Sequence, residues 1–107
     1  MKVYLDDERV APEGWVQTKS AQETIDAIVR GDVTDLSLDH DLGDPKVVGT
    51  GYDVLTWIEE RIALLNDAAF VPKNISLHTA NPSARIKMEL ALKSIQRRID
   101  KISYEQT

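Results

Sequence analysis

Short β-favouring runs alternate along this chain with stretches of helical periodicity, and that alternation constrains the fold more than any other feature. Lys2-Val3-Tyr4-Leu5, Leu36-Ser37-Leu38 and Ile75-Ser76-Leu77 read as strands, and Trp15-Val16-Gln17-Thr18 reads as another after the breakers Pro12 and Gly14. Ala21, Ile25, Ile28 and Val29 recur at helical spacing between a Ser20/Glu23 capping box and Gly31. Val54, Leu55, Ile58, Ile62 and Leu65 trace a second helix, after a long, lid-like loop marked by Gly43, Asp44, Pro45, Gly49 and Gly51. Asn81 as N-cap and Pro82 at the first position open a last helix, with Met88, Leu92, Ile95, Ile99 and Ile102 as its apolar stripe. Strands joined through helices imply right-handed crossovers and a parallel sheet. The expected architecture is an α/β domain over residues 1–107, with a parallel sheet of about four strands and helices on both faces.

Composition sets outer limits on function. Hydrophobic residues make up 42% of the 107 residues and charged ones 29%, ordinary values for a chain that buries a core. No apolar run approaches the roughly 20 residues of a membrane span, and Met1-Lys2 leads into a strand rather than a signal-peptide core, so a cytoplasmic protein without membrane contact is expected. The absence of cysteine excludes thiol nucleophiles and disulfides. A net charge of −5 argues against an extended nucleic-acid surface, while leaving recognition of a single nucleotide or strand end open.

The acidic residues are unevenly placed. The first strand ends in Asp6-Asp7, the third in Asp39-His40-Asp41, and the fourth in His78-Thr79. Ligands of parallel α/β sheets bind at the C-terminal ends of strands, which is where these groups fall. A lone acidic loop residue is most often a turn former, but Asp6, Asp7 and Asp39 brought together repel one another unless a proton or cation intervenes. Mg²⁺ or Mn²⁺ suits such an oxygen-rich set and leaves positions open to a phosphate.

His40, between two acids, is a candidate proton donor to a phosphoryl or leaving oxygen; His78, ending a buried strand, is either a core histidine or a second catalytic candidate. Asn81 caps its helix, and the N–H groups of that turn are candidates for anion binding. Arg85, one turn on, either reaches a phosphate or forms a surface ion pair. Arg9 follows the acidic pair, as a phosphate contact or as its neutralising partner. Trp15 and Trp57 are candidates for base stacking, with packing the commoner role for both. No Gly-Lys-Ser/Thr follows the glycines, which excludes a P-loop.

An acidic pair after strand one, an Asp after strand three, Thr79-Ala80 after strand four and Gly51-Tyr52-Asp53-Val54-Leu55, which looks like the segment that opens a receiver's third helix, together resemble response-regulator receiver domains. That resemblance implies a three-layer, flavodoxin-like fold, with Asp6 and Asp7 holding Mg²⁺, Asp39 at the phosphoacceptor position and Thr79 at the receiver's Thr/Ser position. No fifth strand with a Lys-Pro follows, which weakens phosphoryl signalling at Asp39. Leu5-Asp6-Asp7-Glu8-Arg9, Pro12 with Gly14-Trp15, Ser37 to Gly43, Thr50 to Asp53, and His78-Thr79-Ala80-Asn81-Pro82 with Arg85 and Met88 resemble more closely the cyclic-phosphate-processing receiver domains. What this implies is metal-dependent processing of a cyclic phosphate on a nucleotide or an RNA end, with Asp39, His40 and His78 catalytic, Asp6, Asp7 and Asp39 on the metal, and Thr79, Asn81, Arg85 and Arg9 near the phosphate. The competing expectations are a binding module without turnover and a phosphoaccepting receiver.

Overall fold

The computed structural model describes residues 1–106. Its elements, in chain order, are β1 (Lys2–Leu5), β2 (Trp15–Thr18), α1 (Ala21–Arg30), β3 (Asp35–Leu38), α2 (Pro45–Val48), α3 (Gly51–Leu65), β4 (Asn74–Leu77) and α4 (Pro82–Glu105). All strand pairs are parallel, in the order β2-β1-β3-β4.

The handedness of crossovers decides where the helices lie. The β2-to-β3 connection through α1 and the β3-to-β4 connection through α3 step across the sheet in the same direction, so right-handedness puts both helices on one face. The β1-to-β2 connection steps the other way and would place a helix on the opposite face, but residues 6–14 contain none. Pro12 and Gly14 hold that segment as a loop, with Gly14 at φ 87°. Gln17 pins it, donating from Nε2 to the carbonyls of Asp6 and Arg9 and accepting from the Ala11 N–H.

Strand alternation shows the result. Val3, Leu5, Leu36 and Leu38 have no exposed surface and join Ala27 and Ile28 of α1, Val54, Leu55, Ile58 and Ile62 of α3, and Met88 and Ile95 of α4 in one core. The opposite face carries, in register, Trp15, Lys2, Asp35 and Asn74, then Gln17, Tyr4, Ser37 and Ser76. The parallel, four-stranded, receiver-like α/β sheet is as the sequence indicated. Its layering differs: α1, α3 and α4 share one face, because the one crossover that would cover the other is a loop.

Capping sets where the helices begin. Ser20 accepts from the Glu23 N–H and Asn81 from the Ala84 N–H, as expected, but the Glu23 carboxylate accepts from the Lys19 N–H at 3.4 Å instead of closing a box on Ser20. Thr50 and Asp53 form a reciprocal capping box that starts α3 at Gly51, earlier than the apolar periodicity alone marks. The glycine-rich loop before it holds one helical turn, α2, capped by Asp44.

Candidate functional site

Pairing continues one residue past the strands. Asp6 donates its N–H to the Thr18 carbonyl, Asp39 to Leu5 and His78 to Leu38, each at 3.0 Å. Asp6, Asp39 and His78 thus form the next cross-strand row on the open face, following Tyr4, Ser37 and Ser76. One ligating atom from each lies within 4.8 Å of the others. Asp7, one residue on and of opposite alternation, is not part of the group.

Asp6 is 1% exposed and fully engaged. Its Oδ1 accepts from the Glu8 and Arg9 N–H groups, at 2.8 and 2.9 Å, and its Oδ2 accepts from His78 Nε2 at 3.1 Å. Burial is the largest influence on this carboxyl and raises its pKa; the Arg9 and Glu8 N–H groups and His78 together outweigh it, so the pKa falls below 3.8.

His78 lies between three neighbours. With Asp6 ionised, Nε2 carries the hydrogen, and the Ser37 hydroxyl donates to Nδ1 at 2.7 Å in the neutral ring. The ring stacks on Tyr4 with centroids 4.2 Å apart and planes 4° from parallel. Burial lowers its pKa below 6.5 despite the pull of Asp6 and Asp39, which favours the neutral imidazole at pH 7. Both ring nitrogens are therefore occupied.

His40 is held differently. Its Nδ1–H donates to Asp41 Oδ1 at 2.7 Å, and Nε2 has no partner among the described residues. This hydrogen bond, first among the causes, lowers the Asp41 pKa. A carboxylate on Nδ1 leaves the Nε2 lone pair outward, the arrangement a proton-transfer imidazole needs. Asp39 accepts from the His40 N–H at 2.8 Å. Its backbone lies against the start of α3, where a Cβ on Gly51 would overlap the Asp39 carbonyl oxygen and approach Met88 Cε to 2.9 Å.

Of the expected phosphate contacts, Arg9 is at the row: its Nη1 donates to the His78 carbonyl at 2.6 Å and lies 3.8 Å from Asp6 Oδ2. Arg85 instead pairs with Glu89 at 3.3 Å and reaches the Leu77 carbonyl. Thr79 is buried and its Oγ1 accepts from the Asn81 N–H. That bond and the Asn81 cap on Ala84, with Pro82 lacking an N–H, consume most of the free donors at the start of α4. Asn81 also reaches Asp41 at 3.4 Å, tying the two loops together.

Sequence reading set His40 between two acids, of which Asp41 is the one on its ring, and named His78 but not what holds it: Ser37 and Tyr4 of the same face. The signal was present in the period-two alternation, which puts Tyr4 and Asp6 on one side of β1 and Ser37 and Asp39 on one side of β3.

A parallel sheet whose strand ends gather two carboxylates and an imidazole, with the first acid and Asp39 in neighbouring strands, defines a receiver-like domain. Residues 1–94 match the cyclic-phosphate processing receiver domain, and the chain belongs to that family. No curated protein and no solved structure is significantly similar to it. Among the described residues, no helix is long and apolar enough to cross a membrane.

Proposed function

We propose that the chain hydrolyses a cyclic phosphate on a nucleotide or RNA end with the help of a divalent cation. The observation that carries this is the Asp6–Asp39–His78 row, set on an uncovered sheet face in a chain of a cyclic-phosphate processing family. The donor set fits a divalent ion: two carboxylates and one imidazole with ligating atoms within 4.8 Å, in place of the three carboxylates of the sequence expectation. An imidazole nitrogen in the set favours Mn²⁺ over Mg²⁺, since Mg²⁺ selects oxygen. When bound, such an ion supplies Lewis-acid polarisation of a phosphoryl oxygen.

The chain's own groups carry the remaining chemistry. The Ser37 hydroxyl, donor or acceptor as required, holds the His78 ring when Nε2 is called on as a ligand. His40 Nε2 takes a proton from the attacking water as the water oxygen bonds to phosphorus, and returns it to the ester oxygen released when the ring P–O bond breaks. Arg9, whose Nη1 lies 3.8 Å from Asp6 Oδ2, is the guanidinium at the row and is assigned to a non-bridging oxygen. His78 is assigned to holding rather than proton transfer because both its nitrogens are engaged.

A second reading, a binding module without turnover, is favoured by one observation: the Asp6 carboxylate is satisfied by protein donors alone, and no buried side-chain polar atom of the described residues lacks a partner. The test is an RNA ending in a 2′,3′-cyclic phosphate, incubated with Mn²⁺ or Mg²⁺, using the wild type, Asp39→Asn and Asp7→Asn. Ring opening that needs metal, is lost in Asp39→Asn and survives in Asp7→Asn supports the enzyme. Metal binding without ring opening leaves the module, and no metal binding at all refutes the cation site.

A further inference from the structure

The row of ligating groups is the end of a larger surface. Upstream of it on the open face, Trp15 and Tyr4 meet edge to face, with centroids 6.2 Å apart and planes at 79°, and Tyr4 in turn stacks on His78. The aromatic run therefore passes without a break from the edge strand β2 to the Asp6–Asp39–His78 row. Neither Tyr4 nor Trp15 packs against the core, whereas Trp57 does, edge to face with Phe70. Core packing explains Trp57 and leaves Trp15 unexplained.

We propose that this face is a nucleobase platform, on which Trp15 stacks the base of a nucleotide whose cyclic phosphate lies at the Asp6–Asp39–His78 row, with Tyr4, near perpendicular to Trp15 and stacked on His78, as the wall between them. The inference rests on the cyclic-phosphate reading above and gives it the surface that recognises the base, by which a nucleoside cyclic phosphate is told from a base-free sugar or polyol cyclic phosphate. The in-register residues of the face include no aliphatic side chain, so it lacks what an apolar helix or a second sheet needs to bury. Flat rings bordered by hydrogen-bonding groups suit a base, which presents a π-face whatever its identity.

Distance and charge agree. The Tyr4 ring stands between Trp15, 6.2 Å away, and His78, 4.2 Å away, so one ring's width separates the stacking surface from the row, as a ribose separates a base from its phosphate. The Lys2 ammonium rests over the Trp15 ring at 5.7 Å, and Arg9 stands beside the row. An exposed cation–π contact is weaker than a base stack, so a base displaces Lys2 from the ring and leaves its charge for a phosphate. Besides Asp6 and Asp39 this face carries Asp35, in register with Lys2 and Trp15, where Thr34 and Asn74 hydrogen-bond to it and the Lys2 charge opposes its own.

The test uses the full chain carrying Trp57→Phe and His40→Ala, so that Trp15 is the sole tryptophan and ring opening is stopped, with saturating Mn²⁺ and two probes: adenosine 2′,3′-cyclic phosphate and glycerol 1,2-cyclic phosphate. The nucleoside probe is expected to change Trp15 emission and the glycerol probe to leave it unchanged. By calorimetry the nucleoside probe should bind roughly 5- to 100-fold more tightly, and Trp15→Ala should reduce it to the level of the glycerol probe while Trp15→Phe retains most of the difference. Equal affinity for the two probes, insensitive to Trp15→Ala, overturns the platform and leaves the cyclic-phosphate reading standing. Failure of both probes to bind removes that reading and the platform with it. Trp15 emission that follows protein concentration and ignores the nucleoside assigns the face to a second copy of the chain and likewise overturns the proposal. If Trp15→Ala does not fold, the comparison of probes and Trp15→Phe still decide.

Discussion

Single residues hold the row in place, and Gly51 is the least replaceable. Its missing Cβ lets the start of α3 close on the Asp39 carbonyl, and Met88 Cε leaves no room on the other side. Gly51→Ala is expected to cost about 1–3 kcal/mol as backbone and Met88 shift, measurable by urea unfolding, and to weaken Mn²⁺ binding because Asp39 moves. Ser37→Ala separates the two effects. It should leave the fold nearly intact but reduce Mn²⁺ affinity by about 10–100-fold, since the His78 ring loses the hydroxyl that orients it; unchanged affinity in a calorimetric titration would remove Ser37 from the site. Asp6 and Asp39 were legible as candidates from strand ends alone. That His78 rather than Asp7 stands in the row with them was not, because it depends on which strands are neighbours and on a register the sequence does not state.

At the scale of elements, the weight of the helical layer falls on α3 and α4. Glu59 of α3 accepts from Arg98 Nε at 2.9 Å and from Ser94 Oγ at 2.7 Å, and the Arg98 hydrogen bond, followed by that of Ser94, lowers its pKa below 4.5. A carboxylate with a lowered folded-state pKa contributes stability that is present above its ordinary value and lost as pH falls through the folded value. Wild-type stability should therefore decline below pH 4.5 more steeply than that of Glu59→Gln, while at pH 7 the variant is less stable by about 0.5–1 kcal/mol, a small figure because Arg98 is half exposed. Thermal melts at pH 7 and pH 3 check both. Sequence showed the helices through their caps, Ser20 and Asn81, and through the stripe of α4. Apolar periodicity marks α3 only from Val54; its start at Gly51 was legible from the likeness of Gly51-Tyr52-Asp53-Val54-Leu55 to a receiver's helix opening, and Thr50-x-x-Asp53 is a capping signal in its own right.

The whole molecule follows from a single missing crossover helix: because residues 6–14 form a loop, the helices gather on one face and the other carries the aromatic run and the acidic row. The sequence reads residues 6–14 as a loop through Pro12 and Gly14, while helices on both faces follow only from treating the fold as a complete receiver; the loop leaves one face without its helix. The sheet is also open at its β4 edge, where a groove of about 920 Å³ lined by Val71, Ile75, Leu92 and Ile95 lies apart from the acidic row. Parallel pairing directs alternate residues of a strand to opposite neighbours, and in β4 it is Asn74 and His78 whose N–H groups bond to the Thr34 and Leu38 carbonyls of the β3 side. The N–H groups of Ile75 and Leu77 consequently face the free edge. Native-state hydrogen exchange of the isolated chain is expected to alternate along β4, slow at Ser76 and His78 and markedly faster at Ile75 and Leu77, with β1 and β3 the slowest strands. Protection of Ile75 and Leu77 equal to that of Ser76 would mean that another strand pairs along β4 in solution, and the four-stranded sheet would then be only part of the working assembly.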